Sequence, residues 1–251
     1  MSAASDNRWF SVPFPKPAAS LRLFCFPYAG GGASAYYAWS RALANDPIEV
    51  CALQLPGRES RLTEPPFADV ASLVSALGPI LRTRLERPCV FFGHSLGAIV
   101  AFELVRWMRD RRLTLPLRLA VSGARAPDAA RDDPPLHAIA DDRALASAVA
   151  ERYNAIPPAV MANDELLSLV LPALRADLRM NETYACVEGP PLPVDIAAYG
   201  GRDDALVGED QLTEWNRHTT GRFTHRIFPG GHFFLNDARD AIAADLVTLV
   251  R

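Results

Sequence analysis

The sequence lacks the features that mark secreted, membrane-spanning and nucleic-acid-binding proteins. Its four cysteines are scattered through 251 residues, without the close spacing that a disulfide framework, a zinc site or a redox motif requires. No stretch approaches the ~18 consecutive apolar residues of a membrane span. Residues 1–16 contain charges and prolines but no apolar core, so no secretory signal is expected. A net charge of −3 gives no basis for binding nucleic acid.

The composition that remains is that of an ordinary globular protein. With 49% hydrophobic and 22% charged residues, 251 residues suffice for one large domain. Cys25, Cys51 and Cys89 fall in apolar, strand-like segments, as is typical of buried thiols in a reducing compartment. We therefore expect a cytoplasmic protein with neither nucleic acid nor a membrane as a partner.

Strand-like and helical patterns alternate along the chain. Helical periodicity covers residues 34–44, 69–86, 208–219 and 238–250, and it also follows the third strand. The predicted strands are residues 21–26, 48–55, 89–92, 118–122, 194–200 and 223–228. Such alternation predicts an α/β fold in which helices cover both faces of a mostly parallel sheet.

One proline-rich region interrupts this alternation. Residues 128–192 contain helical patterns at 141–153 and 164–179 but no clear strand, and Pro172 is expected to kink the second helix. We predict a single domain over residues 1–251, with 128–192 as a helical lid insertion. An insertion between two core strands would lie over the carboxyl edge of the sheet, where α/β proteins bind ligands. A structural decoration far from the site is the alternative.

A serine lies between two glycines at residues 93–97, Gly-His-Ser-Leu-Gly. The apolar strand pattern 89–92 precedes it, and an amphipathic helix pattern follows it. A G-x-S-x-G sequence between a strand and a helix is typical of a nucleophile elbow, a sharp turn that lifts the serine above the sheet. Ser95 is therefore the candidate nucleophile, whereas an ordinary serine in a glycine-rich connection is the alternative.

A serine hydroxyl is a weak nucleophile without a base, and the base needs an orienting acid. In this fold the acid and then the histidine follow the serine along the chain. His232 is the predicted base because it lies in a loop between the last strand and the last helix. The other histidines are less suitable: the elbow directs His94 elsewhere, His137 precedes the acids, and His218 and His225 belong to a helix and to the strand core.

Two neighbouring aspartates follow the fifth predicted strand, so the choice of acid stays open between them. The pattern Gly-x-x-Asp-x-x-Val, counted from Gly201, selects Asp204. Counted from Gly200 it selects Asp203, but a leucine then stands at the valine position. We predict Asp204 as the acid, with Asp203 as the alternative.

Two backbone N–H groups are expected to form an oxyanion hole, as in other enzymes with this turn. One belongs to Leu96, directly after the nucleophile. The other belongs to Ala29, or second to Tyr28, in the Tyr-Ala-Gly-Gly loop after the first predicted strand. A phosphate cradle is the other use of such glycines, but the sequence has no Gly-Lys-Ser/Thr at this loop.

Several motifs together resemble the type II thioesterases that accompany nonribosomal peptide and polyketide synthases. These motifs are Phe-Pro-Tyr-Ala-Gly-Gly at 26–31, Leu-Pro-Gly-Arg-Glu at 55–59, the elbow at 93–97 and Pro-Gly-Gly-His-Phe-Phe-Leu at 229–235. Leu-Arg-Ala-Asp at 174–177 and Glu-Thr-Tyr at 182–184 also resemble the family. Its spacing of a tryptophan eleven residues after the acid fits Asp204 and Trp215. The resemblance covers the chain from residue 21 onward.

The resemblance implies an α/β-hydrolase fold and hydrolysis of acyl groups from phosphopantetheine thiols of acyl or peptidyl carrier domains. Such editing frees misprimed synthases in secondary-metabolite or siderophore biosynthesis. It implies a monomer without metal or cofactor of its own. A chain-releasing thioesterase is a close rival, but those domains are normally fused to a synthase, whereas this chain begins at Met1. A carboxylesterase is the rival among hydrolases, and a non-catalytic binding module on a hydrolase fold is the rival from another class.

Basic residues near the predicted sheet edge are the candidates for carrier docking. Arg58 and Arg61 follow a strand and would face an acidic carrier domain there, although Arg58 could equally hold its own loop through backbone carbonyls. A second basic group, at Arg106, Arg109, Arg111 and Arg112, is expected to be a solvated helix end far from the elbow.

Overall fold

The computed structural model describes residues 8–130, 133–154 and 156–248. Within these ranges seven strands form one sheet, and six of them are parallel. The strands are β1 (Phe10–Ser11), β2 (Leu21–Phe26), β3 (Ile48–Leu53), β4 (Cys89–His94), β5 (Arg118–Ser122), β6 (Asp195–Gly201) and β7 (Phe223–Phe228). Every residue of β3 and β4 is buried, which explains why their sequences are mostly apolar.

The order of the strands places a crevice at one edge of the sheet. The order is β1-β3-β2-β4-β5-β6-β7, and β1 pairs antiparallel with β3. From β2 the chain proceeds outward to β3, whereas β4 lies on the other side of β2 and the later strands extend from it. Ligands of open α/β sheets bind at such a reversal, outside the carboxyl ends of the strands. The loops after β2 and β4 are therefore the expected site.

Eight α-helices are described, and they cover both faces of the sheet. Their bounds are α1 (Tyr37–Ala42), α2 (Val70–Arg82), α3 (Leu96–Asp110), α4 (Asp142–Tyr153), α5 (Pro158–Met161), α6 (Asp164–Glu182), α7 (Glu209–Thr213) and α8 (Arg239–Val247). Helices α2 and α3 pack together over one face, and α1 and α8 over the other. No described helix is both long enough and apolar enough to cross a membrane.

The helices between β5 and β6 have an apolar core of their own. Helices α4 and α6, with the short 3-10 helix Leu136–Ala138, enclose it, and Ala29 of the loop after β2 packs against it. The buried members are Leu136, Leu145, Ala146, Val149, Leu167, Leu171, Leu174 and Leu178. The described part of residues 128–192 contains no strand, as predicted, and α6 continues through Pro172 to Glu182.

The predicted α/β fold is confirmed, with differences at the ends of elements. The segment predicted as a helix at 34–44 begins as a 3-10 helix, and the one at 208–219 divides into α7 and a 3-10 helix (Glu214–His218). The edge strand β1 and the four-residue helix α5 were not predicted. Residues 249–250 of the last predicted helix lie outside the described residues.

Candidate active site

Ser95 occupies a strained turn between β4 and α3. Its backbone angles are φ 53° and ψ −119°, a conformation that non-glycine residues rarely adopt. A side chain at Gly93 would lie 2.2 Å from the carbonyl oxygen of Gly97, and one at Gly97 would lie 2.0 Å from that of Phe26. Both glycines are therefore required by the close approach of strand, helix and neighbouring loop.

A hydrogen bond from the next strand holds this turn. The Ser95 N–H donates to the carbonyl oxygen of Ser122, at the end of β5, over 2.8 Å. Ser95 itself is only partly buried, although the residues beside it are fully buried. The strained backbone therefore presents the hydroxyl at the surface of a cavity, as the predicted nucleophile elbow requires.

His232 and Asp204 form a buried pair beside this turn. His232 Nδ1 lies 2.9 Å from Asp204 Oδ2, and their side chains are 6% and 0% exposed. The other oxygen of Asp204 accepts from the N–H of Leu206 over 2.9 Å, so the carboxylate is held on both sides. Asp203 instead accepts from the N–H of Gly230 over 3.3 Å. Asp204, not Asp203, therefore contacts the imidazole.

Ser95 and His232 line the same two cavities, but no hydrogen bond joins them in the described structure. Such contacts are often long in unliganded enzymes and tighten when substrate binds. The side chain of His232 is fixed from the other side, because the ring of Tyr153 in α4 packs edge-on against it with centroids 5.4 Å apart.

The remaining histidines lie in different surroundings. His137 pairs with Glu182, and His218 pairs with Asp128. The prediction that His225 lies in the core is wrong: it is exposed on the edge strand β7 and contacts Glu209 over 3.0 Å. An edge strand has a neighbour on one side only, so a strand position does not ensure burial.

His94 lies directly beside the imidazole of His232, with ring centroids 5.1 Å apart. It is fully buried, and its Nδ1 lies 2.9 Å from the Ser122 hydroxyl. Its Nε2 has no hydrogen-bond partner in the described structure. Burial, and secondarily the nearby charge of His232, lowers the pKa of His94 well below its usual value of 6.5. His94 therefore stays neutral at physiological pH.

Ala29 and Leu96 supply two N–H groups next to Ser95. Leu96 is the first residue of α3, so its N–H has no acceptor within the helix. Ala29 precedes Gly30, whose φ of 78° suits the third position of a type II turn, and the Gly31 N–H closes that turn on Tyr28. No described protein group accepts from the Ala29 N–H, and Ala29 lines a cavity with Ser95.

Two cavities of different character meet at Ser95. The first, the polar cavity, has a volume of about 280 Å³ and contains charged side chains, namely Arg125, Asp133, Arg152 and Glu182. The second, the apolar cavity, has a volume of about 380 Å³. One wall is formed by residues between 28 and 35 together with Glu59, and the other by aliphatic side chains of the insertion, namely Val149, Ile156, Val160, Val170, Leu174 and Leu178. The side chains that border both are Ser95, Tyr153, Asn181 and His232.

Reasoning from the sequence missed three residues that line the cavities at Ser95, namely Tyr153, Asn181 and Arg152. They belong to the insertion, where helical periodicity reveals the buried face but not which residues reach the elbow. The sequence also did not indicate that Asp177 of α6 contacts Gly30 in the loop after β2 and Arg58 in the loop after β3. Only the three-dimensional packing of α4 and α6 over the sheet edge brings these side chains to Ser95.

Arg58 and Arg61 do not form an exposed docking surface, contrary to that prediction. They are 7% and 5% exposed. Arg58 pairs with Asp177 of α6, and Arg61 pairs with Glu64 and donates to the carbonyl of Gln54. Arg58 also donates to the carbonyl oxygens of Pro56 and Gly31, which matches the alternative that it holds loops through backbone carbonyls.

The cysteines are placed as the sequence indicated. Cys25, Cys51 and Cys89 are buried, Cys186 is partly exposed, and all four are free thiols. Burial raises the pKa of Cys51 and of Cys89 to about 12, so neither forms the reactive thiolate. Over the described ranges, no three His, Cys, Asp or Glu side chains are grouped so that they could hold a metal ion.

Known proteins resemble this chain in sequence over most of its length. A sequence model of the thioesterase domain matches residues 21–249. The gramicidin S biosynthesis protein GrsT of Aneurinibacillus migulanus is 37% identical over 233 residues, which cover 93% of this chain and 90% of GrsT.

Two solved structures have the same fold over nearly the whole chain. The type II thioesterase BorB from the borrelidin biosynthetic cluster has a TM-score of 0.84 and 36% identity, covering 96% of this chain and 95% of BorB. RedJ, a thioesterase of the prodiginine pathway in Streptomyces coelicolor, has a TM-score of 0.85 and 37% identity, covering 95% of each chain. With a family match of this extent, the chain belongs to the thioesterase domain family and is a thioester hydrolase.

Proposed function

We propose that this thioesterase acts as an editing enzyme, which hydrolyses acyl groups from the phosphopantetheine thiol of carrier domains in a nonribosomal peptide or polyketide synthase. The observation that carries this proposal is the meeting of two unlike cavities at Ser95, one polar and one apolar. A thioester carried on phosphopantetheine has the same division, since a long polar arm ends at the sulfur and the acyl group begins there. The relatives GrsT, BorB and RedJ belong to gramicidin S biosynthesis, the borrelidin biosynthetic cluster and the prodiginine pathway, which supports a role in biosynthesis of this kind.

Ser95, His232 and Asp204 are the proposed catalytic residues. The Ser95 oxygen attacks the thioester carbonyl carbon while His232 Nε2 removes its proton. When the carbon–sulfur bond breaks, the same nitrogen returns the proton to the leaving thiol and the acyl group remains on Ser95. Water then attacks this ester, gives a proton to His232, and Ser95 regains it as the acid leaves. The 2.9 Å contact with Asp204 stabilises the imidazolium and orients the ring in both steps.

The N–H groups of Ala29 and Leu96 are the proposed oxyanion hole. Negative charge develops on the carbonyl oxygen in both tetrahedral intermediates, and fixed donors stabilise it most strongly in a site that excludes water. The loss of one such donor typically lowers the rate ~10²–10³-fold. The close contact of Gly97 with Phe26 supports this role, because it places the loop after β2 against the start of α3.

The apolar cavity is the proposed acyl site. Its aliphatic lining favours an acyl chain, and its volume of about 380 Å³ accommodates a chain of several carbons. The polar cavity is the proposed site of the pantetheine arm, whose amides and hydroxyl need hydrogen-bond partners. Among the described residues, Arg125 of this cavity pairs with Asp133, whereas Arg152 donates to the carbonyl of Pro134 and has no ion pair, so we propose Arg152 as the contact for a phosphate.

Residues 128–192 are the proposed lid. Their described part borders the same cavities as Ser95 through Tyr153 and Asn181 and supplies one wall of the apolar cavity. This placement favours a lid over a decoration remote from the site. No metal or cofactor takes part in the proposed steps; the phosphopantetheine belongs to the partner carrier domain, and a monomer is sufficient because all proposed residues come from one chain.

The test compares two substrates of the purified protein. One is an acyl-loaded carrier protein and the other is the same acyl group on a simple alkyl ester. We expect a kcat/KM at least ~10²-fold higher for the carrier substrate, since binding energy from the arm is available only there. Equal values would indicate a general carboxylesterase. Release of a cyclised or transferred product would indicate a chain-releasing enzyme. If neither substrate were hydrolysed, the protein would be a non-catalytic binding module.

A further inference from the structure

A buried carboxylate of the insertion contacts the backbone of the proposed oxyanion loop. Asp177, on α6, is 1% exposed and accepts from the N–H of Gly30 through Oδ2 over 2.8 Å. The two residues are 147 positions apart in sequence. The contact therefore joins two separate parts of the fold beside Ser95.

Arg58 contacts both the same carboxylate and the same loop. Its Nη1 donates to Asp177 Oδ2 over 2.5 Å, and its Nη2 donates to Oδ1 over 2.9 Å. Nη1 also donates to the carbonyl oxygen of Gly31 over 3.0 Å. Arg58 and Asp177 thus hold successive residues of the loop, one through its N–H group and the next through its carbonyl.

Burial of this ion pair argues for a role beyond stability. Removing two charges from water is expensive, and apolar residues of similar size often stabilise a fold better. Arg58 and Asp177 are 7% and 1% exposed, so that penalty applies to both. Buried ion pairs are best attested as devices that set the register between elements. Here the elements are α6, the loop after β3 and the loop after β2.

The hydrogen bond to Gly30 fixes the peptide group next to Ala29. Gly30 has a φ of 78°, and an added side chain there would lie 3.1 Å from Leu174 of α6. Only glycine suits this turn, and glycine alone leaves the backbone flexible. The neighbouring Ala29 N–H has no acceptor in the described structure. An external contact is therefore needed to hold the Ala29 N–H towards the cavity that contains Ser95.

We propose that Asp177, held by Arg58, is a positioning residue that aligns the Ala29 N–H for the developing oxyanion and couples that alignment to the seating of α6. Asp177 touches no reacting atom. This inference rests on the proposed oxyanion role of Ala29.

The test variant is Asp177→Asn, which preserves the volume of the side chain. Both carboxylate oxygens accept hydrogen bonds, whereas an amide presents one acceptor and one donor group. Asparagine therefore loses the negative charge that holds Arg58 and at least one hydrogen bond from Arg58, and it also loses the Gly30 bond if its amide group takes the Oδ2 position. Arg58→Lys is the second variant, because a lysine keeps the charge but cannot contact both oxygens and the carbonyl of Gly31 together.

The substrate for this test is an acyl-cysteamine thioester, which needs no carrier docking. We expect Asp177→Asn to lower kcat ~10–10²-fold, as a misplacement of ~1 Å can cause. KM should change less than about threefold, because the oxyanion contact forms only in the transition state. Affinity for a trifluoromethyl ketone, which forms an oxyanion on the serine, should fall by the same factor as kcat. Arg58→Lys should lower both values by a smaller factor.

The matched control is Arg175→Gln, on the same helix. Arg175 donates to the carbonyl of His137 over 3.1 Å and contacts Asp142, so it supports the insertion without touching the oxyanion loop. It should lower the melting temperature while kcat stays within about twofold of wild type. The pH dependence of kcat/KM should also be the same in Asp177→Asn and wild type, since the pair of His232 and Asp204 is unchanged.

A lowered melting temperature of Asp177→Asn with unchanged kcat and inhibitor affinity would overturn the proposal and leave Asp177 a structural residue. If Asp177→Asn does not fold, the same comparison of kcat with inhibitor affinity is made on Arg58→Lys. Unchanged values in that variant would overturn the proposal. Failure of the wild type on carrier substrates alone would count against the proposed function and not against this inference. A wild type that hydrolyses neither the carrier substrates nor the small thioester would overturn both.

Discussion

His232 Nδ1 lies 2.9 Å from Asp204 Oδ2, although the two residues are 28 positions apart and belong to different loops. The loops follow the neighbouring parallel strands β6 and β7, whose carboxyl ends lie at the same edge of the sheet. Asp204 Oδ1 is bonded to the Leu206 N–H, so the carboxylate cannot rotate away without losing that contact. The pair is therefore held ready before substrate binds.

Asp204→Asn is expected to lower kcat about 10⁴-fold, because an amide at Oδ2 cannot stabilise the imidazolium or hold the required tautomer. Asp203→Asn is the matched variant, since its carboxylate only accepts from the Gly230 N–H. It should retain activity within about tenfold. Turnover of an acyl-cysteamine by both variants measures the difference. The opposite ranking would assign the acid to Asp203.

Ser95→Ala is expected to abolish hydrolysis, by about 10⁶-fold in kcat, with the fold intact. Ser95→Gly should be equally inactive but more stable. The φ of 53° and ψ of −119° at this position are strained for residues other than glycine, at about 1–3 kcal/mol. Glycine's larger unfolded-state entropy offsets about 0.5–1 kcal/mol of that. Chemical denaturation of the two variants should therefore show a free energy of unfolding about 1 kcal/mol higher for glycine, and equal values would contradict a strained elbow.

The sequence predicted those parts of the molecule in which local pattern decides structure. The central strand β4 was placed because a strand buried on both faces is mostly apolar, and Ser95 was placed at a strand–helix turn because that turn needs glycines on both sides. Strand β1 was missed because Phe10–Ser11 is too short for any periodicity. His225 was assigned to the core because alternation along a strand does not reveal that β7 lies at the edge.

Local sequence patterns do not reveal contacts between residues that are far apart along the chain. Arg58 and Asp177 are 119 positions apart, and each occurs in a motif whose own sequence gives no sign of the other. The arginine was therefore considered as an exposed docking residue, although it is buried. The elbow turns His94 away from Ser95, as expected, but local pattern did not reveal that its ring lies beside His232. Burial of a charged or polar side chain depends on which elements meet there.

His94 is expected to make stability depend on pH. Its pKa in the folded state lies below its ordinary value of 6.5, so the unfolded state binds more protons as pH falls through 6.5. The stability that a neutral His94 contributes is thus present above pH 6.5 and is lost towards lower pH. The free energy of unfolding should fall by up to about 1.4 kcal/mol for each pH unit below 6.5. Urea denaturation between pH 8 and pH 5 measures it.

The variant for this prediction is His94→Asn, and its matched control is His225→Gln on the exposed edge strand. Wild type and His225→Gln should lose stability in parallel as the pH is lowered. His94→Asn should start less stable at pH 8, since Ser122 and the aromatic rings of Tyr28 and Phe233 lose a packed partner. The difference from wild type should then shrink towards pH 5. A constant difference would mean that His94 is not the titrating group.

Val160→Phe is expected to change which acyl chains are accepted. Val160 lies on α5 and lines the apolar cavity, so a larger side chain removes volume from the proposed acyl site. We expect kcat/KM for a hexanoyl thioester to fall at least ~10-fold, while the acetyl thioester changes less than about twofold. Val187→Phe, at an exposed position outside both cavities, should leave both substrates unchanged. Equal losses for the two chain lengths would place the acyl group elsewhere.

Arg152→Gln is expected to separate phosphopantetheine substrates from simpler thioesters. Arg152 lines the polar cavity with Ser95, and its one described hydrogen bond is to the carbonyl of Pro134, so the guanidinium can meet the phosphate of the arm. For an acyl-phosphopantetheine, KM should rise about 5–10-fold, because a charge-assisted hydrogen bond contributes about 1–1.5 kcal/mol in a partly exposed site. An acyl-cysteamine, which lacks the phosphate, should show the same KM in wild type and variant.

Added salt should weaken binding of the phosphorylated substrate in the wild type but not in Arg152→Gln, since the screened contact is then absent. Arg41→Gln on α1 makes the same charge change outside both cavities, and it should behave as wild type. A rise in KM for both substrates would indicate that Arg152 affects the part that they share. The acyl group would then bind in the polar cavity, and the arm would bind elsewhere.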